Sequence, residues 1–140
     1  MRARLFTSCF LFFLLSIGCS KKDENPQSIV QSMSFKYNGI VKECKGKILA
    51  GRSGNSLMMD FQVDDDENIK IALNISEGKR EYSISLQEAQ ILYEKPDMDY
   101  IFNKSGSINL SFLSESVARG TFSSEAITEG KFEVNLVKSK

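Results

Sequence analysis

The chain has 140 residues, 18 basic and 18 acidic side chains, three cysteines, and neither histidine nor tryptophan. With formal charges balanced and no basic patch, composition argues against nucleic acid as a partner. Without histidine there is no Ser-His-Asp triad, no Cys-His pair and no histidine-ligated zinc.

Arg2 and Arg4 precede an unbroken apolar run at residues 10–15, and small residues then lead to Gly18 and Cys19. This is the three-part layout of a secretory signal. The apolar stretch of about 13 residues is shorter than the roughly 20 needed to cross a bilayer. Ser16-Ile17-Gly18-Cys19 resembles the bacterial lipobox, which implies lipidation of Cys19 and cleavage between Gly18 and Cys19. The expected divisions are a cleaved lipoprotein signal peptide (1–18), a lipidated Cys with a flexible tether (19–32) and one β domain (33–138). Acyl chains contributing about 0.8 kcal/mol per buried CH₂ would make the anchoring lasting, so a membrane is the expected partner. Residues 20–25, Ser-Lys-Lys-Asp-Glu-Asn, resemble the Lys/acidic tract that follows the lipidated Cys in many Bacteroidota lipoproteins. That resemblance implies the outer membrane, with the cell surface favoured over the periplasmic face. Loss of residues 1–18 leaves 16 basic against 18 acidic side chains. Cys44 is then the one thiol left unmodified. No histidine is present to activate it, so it reads as a half-buried strand residue.

From residue 33 onward the pattern has period two, the signature of half-buried strands. Residues 33–37 alternate and Asn38-Gly39 is a strong hairpin signal. Residues 40–50 read as one strand, with a break at Gly46, and residues 51–55 as a turn. Leu57, Met59, Phe61 and Val63 share one face against Met58, Asp60 and Gln62. Residues 64–68 read as a charged turn. Ile69, Ile71, Leu73 and Ile75 then oppose Lys70, Ala72 and Asn74. After a turn through Gly78, Tyr82, Ile84 and Leu86 alternate, and residues 87–90 are ambiguous with a single helical turn. Residues 91–93 and 100–102 read as strands around a turn at 95–97. Ile108, Leu110 and Phe112 form the next face, residues 117–126 another strand, Glu129-Gly130 a turn, and Phe132, Val134 and Leu136 the close. About nine or ten short strands with turns every 8–12 residues predict an all-β fold, an antiparallel β-sandwich or meander barrel.

Several segments carry a further resemblance. Arg119-Gly120-Thr121-Phe122 and Ile127-Thr128-Glu129-Gly130-Lys131-Phe132 resemble the C-terminal strands of a family of uncharacterised Bacteroidota lipoproteins. Residues 35–39, 78–86 and 105–110 resemble its earlier strands. The resemblance implies an all-β lipoprotein domain and no catalytic residues.

Other chemistry is sparse. Gly51-Arg52-Ser53-Gly54 is a turn rather than a phosphate loop. Asp64, Asp66 and Asn68 have the opening spacing of an EF-hand, but Ile69 stands where the loop needs Gly and Ile75 where it needs Glu. They read as a solvated hairpin tip, and so does Asp97-Met98-Asp99. Asp60 with Glu88 or Glu94 offers carboxylates but no demonstrable pair at glycosidase spacing. Tyr93, Asp97, Asp99 and Tyr100 are the candidate ligand-binding residues, with Phe102 beside them. No cofactor and no metal is expected. A non-enzymatic binding or structural module is the first expectation, its ligand a small molecule, a glycan or a protein. A lipocalin-like small-ligand carrier is the alternative.

Overall fold

Alternating apolar residues need a facing partner to bury them, and here two sheets supply it to each other. The computed structural model describes residues 29–96 and 98–138, with 98–102 and 138 described through their backbone alone. Gly18, Cys19 and Asp97 lie outside the described residues. Twelve strands form within them: β1 (Ser32–Tyr37), β2 (Ile40–Glu43), β3 (Ile48–Ser53), β4 (Ser56–Asp64), β5 (Glu67–Asn74), β6 (Glu81–Ser83), β7 (Ala89–Lys95), β8 (Met98–Phe102), β9 (Gly106–Leu113), β10 (Val117–Ser124), β11 (Ile127–Asn135) and β12 (Val137–Lys138).

Sheet one has the order β2-β1-β11-β10-β9-β6 and sheet two the order β12-β3-β4-β5-β7-β8. Neighbours are antiparallel, except that β12 runs parallel to β3. Among the described residues neither sheet closes on itself or joins the other, so the fold is a β-sandwich and not a closed barrel. The expected all-β class holds, and of its two forms the sandwich is the one adopted.

The inner faces are the ones that alternation marks. Leu57, Met59, Phe61 and Val63 of β4 and Ile69, Ile71 and Leu73 of β5 are all buried. Opposite them lie Met33, Phe35, Ile108, Leu110, Phe122, Phe132 and Val134 from sheet one. Each such side chain contributes roughly 1.5–3 kcal/mol relative to exposure. Asn38 and Gly39 have φ of 49° and 80°, the paired left-handed conformation that a tight two-residue hairpin needs.

The break expected at Gly46 is present, and it separates two strands, β2 and β3, that lie in different sheets. The crossing is fixed where Gly46 N donates to Gln62 O (3.1 Å). A Cβ on Gly46 would lie 2.6 Å from the Gln62 side chain, so a larger residue here would have to displace that side chain. The turn expected at 51–55 is confined to Gly54-Asn55, because Gly51, Arg52 and Ser53 pair with β4. Residues 86–88 form a turn without a helix, and Leu86 is 89% exposed rather than in line with Tyr82. The turn expected at 64–68 is confined to Asp65-Asp66, and two bulges account for two further differences. In β9, Ser111 is an extra residue between the Leu110–Gly120 and Phe112–Arg119 pairs, which turns Phe112 out to 44% exposure and Leu113 towards the core. In β11, Glu129 and Gly130 together face Phe35 alone, with Glu129 at φ 53°. Glu129-Gly130 is therefore a bulge within a continuous strand and not a turn.

The Gly-x-Phe repeats of β10 and β11 interlock. Gly120 pairs with Phe132, and Phe122 with Gly130. A Cβ on Gly120 would lie 2.7 Å from the Phe132 ring, and one on Gly130 2.7 Å from the Phe122 ring. Each ring lies over the glycine of the other strand, so these glycines make room for packing instead of turning the chain.

Candidate functional site

The outer face of sheet two carries an apolar groove of about 610 Å³. Its geometry follows from cross-strand register. One row across five strands reads Val137, Gly51, Met58, Ala72, Gln90. The row two residues away reads Leu49, Asp60, Lys70, Leu92. Gly51 and Ala72 form a low floor, and Leu49, Met58, Leu92 and Val137 stand around it. Val137, Met58 and Leu49 are 68%, 64% and 50% exposed. The outer face of an antiparallel sheet is ordinarily its polar face, and here an apolar concavity lies on it with no partner among the described residues. Among the polar lining groups, Lys70 Nζ lies 2.5 Å from Glu94 Oε1.

A second concavity, of about 410 Å³, opens at the end of the sandwich between Arg52, Asn55 and residues 75–80. Two of its cations are engaged internally. Lys79 pairs with Glu88 (2.7 Å) and lies over the Tyr82 ring, while Arg52 Nε donates to Gly54 O (3.1 Å). The Lys79 hydrogen bond, aided by the Ser83 N–H, holds the exposed Glu88 carboxyl below its ordinary pKa.

Tyr93, expected as part of a ligand platform, is fully buried. Its hydroxyl donates to Glu67 Oε2 (3.1 Å), and its ring meets Phe35 and Tyr37 edge-on at 5.4 and 4.9 Å. Burial, reinforced by the Glu67 charge, raises the Tyr93 pKa. Glu67 also accepts from Lys42 Nζ at 2.8 Å, so β2 of sheet one and β5 and β7 of sheet two are clipped together at this end. Asp99 and Tyr100 are placed only as backbone of β8, whose register sets Phe102 opposite Leu92 and Ile101 opposite Tyr93. Tyr93 is thereby an interior residue that ties the sheets, not a surface for a ligand.

Cys44 is half-buried with Sγ 3.0 Å from Gln62 O, and burial pushes its thiol pKa up. That is the environment of an inert cysteine. Among the described residues no group of three or more His, Cys, Asp or Glu side chains is arranged to hold a metal ion. The hairpin tip at Asp64, Asp65 and Asp66 is exposed.

The groove was not among the sequence-derived candidates. Its signal was present in Met58 and Ala72, apolar residues on faces that alternation gives to solvent. Only the register of five strands shows that they adjoin. Comparison with protein-family models, with curated proteins and with solved structures finds no match to this chain.

Proposed function

We propose that the chain is a lipid-anchored outer-membrane lipoprotein, displayed at the cell surface, whose domain works by binding and not by catalysis. The sheet-two groove is its binding surface. One observation carries the binding role: an open apolar concavity on the face of the sandwich that would otherwise be polar. The anchor rests on the basic start, the apolar run and Ser16-Ile17-Gly18-Cys19. A carrier with an internal cavity is not favoured, because large side chains of both sheets fill the space between them and the sheets do not close.

The test begins with the full chain extracted from its membrane and analysed for co-purifying small molecules by mass spectrometry. Wild type should carry a species that Gly51→Leu, which fills the groove floor, loses. An identical small-molecule profile in both would count against the groove as the binding surface.

A further inference from the structure

Resting on the reading of the groove as a binding surface, we infer that its ligand is a small amphiphile with an elongated apolar body and one cationic group. Shape and lining set the apolar body. From Val137 to Gln90 the row crosses four strand intervals, about 19 Å at the usual spacing, and the volume lies within the roughly 300–1,000 Å³ of small-molecule sites. The depression over Gly51 and Ala72 suits an extended alkyl or aryl chain lying across the strands, and Met58 between them has an unbranched side chain that adapts to what it covers.

The charge is set by Asp60. It is half-buried and lies between Leu49 and Lys70 in the second row. The Lys70 ammonium is already met by Glu94 at 2.5 Å. The Asp60 carboxylate has no hydrogen bond or ion pair among the described residues. A carboxylate at the margin of an apolar surface attracts a cation more strongly than it would in open water and repels an anion. The groove therefore selects an ammonium-bearing amphiphile over its sulfate counterpart.

The inference is tested on the full chain in membranes of cells that express it, using two photo-crosslinkers. These are a diazirine-bearing decylammonium and the corresponding decyl sulfate, with attachment sites mapped by peptide mass spectrometry. The cationic probe should label peptides containing Met58, Leu92 and Val137 about fivefold more than the anionic probe, relative to labelling elsewhere on the chain. Asp60→Asn should bring that ratio to the value found elsewhere. Gly51→Leu should abolish groove labelling. Ala72→Leu, on the same outer face, is a second filling variant should Gly51→Leu fail to fold. Groove labelling by both probes alike would overturn the charge assignment and leave the binding surface standing. No groove labelling by either probe would overturn both.

Discussion

Tyr93 shows how one side chain can be read two ways. On paper it is an aromatic beside Asp97 and Asp99; in the fold its ring is interior and its hydroxyl is held by Glu67. Its pKa is raised above the ordinary value of 10.0 chiefly by burial, and then by Glu67. The folded protein thus keeps this phenol protonated where an unfolded tyrosine ionises. Its stabilising contribution is complete below that ordinary value and is lost as pH rises towards the folded one. Tyr93→Phe should cost about 1–2 kcal/mol at neutral pH, and its stability should fall less steeply in alkali than that of wild type. Denaturant melts at neutral and alkaline pH measure both effects. Cys44 yields a prediction of the same kind. With its thiol pKa raised by burial, alkylation by iodoacetamide at mildly alkaline pH should be slower than for free cysteine and should accelerate on unfolding. Fast alkylation of the native protein would contradict its placement.

At the level of strands, the β10–β11 pair is the best test of packing. Gly120→Ala would place a Cβ 2.3 Å from Asn109 O and 2.7 Å from the Phe132 ring. Overpacking of this kind costs about 1–3 kcal/mol, and chemical denaturation should show a loss in that range. Pairing it with Phe132→Leu should give less than the sum of the single losses, because the variants share one contact. Additive losses would mean that ring and glycine are independent. The same pair shows what a sequence can reveal. The Gly-x-Phe repeats stand out as motifs, yet their glycines look like turn residues until each is seen beneath the other strand's ring. Leu57 to Val63 and Ile69 to Leu73 were legible because unbroken alternation needs no knowledge of a partner. Phe112 and Glu129 were not, since a bulge is a relation between two strands and leaves no mark on either alone. The groove was hidden for a related reason. Met58, Ala72 and Leu49 are unremarkable one by one, and they become a surface only through pairings that sequence does not specify.

For the molecule as a whole, anchoring and folding should be separable. The described core is completed by residues 33–136, so Cys19→Ser should release or mislocalise a domain that is still folded. Cell fractionation followed by a thermal melt checks both halves, and continued membrane retention would contradict the anchor. The hold on Ile29, where the described residues begin, has a mechanical consequence. Ile29 N donates to Asn135 Oδ1 (3.0 Å), and Asn135 Nδ2 returns a bond to Ile29 O (2.8 Å). A pull applied through the residues before Ile29 is met first by this side-chain clamp and then acts along β1. That strand is an interior member of its sheet, hydrogen-bonded to β2 on one side and β11 on the other. Those bonds run across the direction of pull. Tension along the strand therefore loads them together, in shear, instead of peeling them apart one by one, and drawing out β1 must break two ladders where an edge strand would break one.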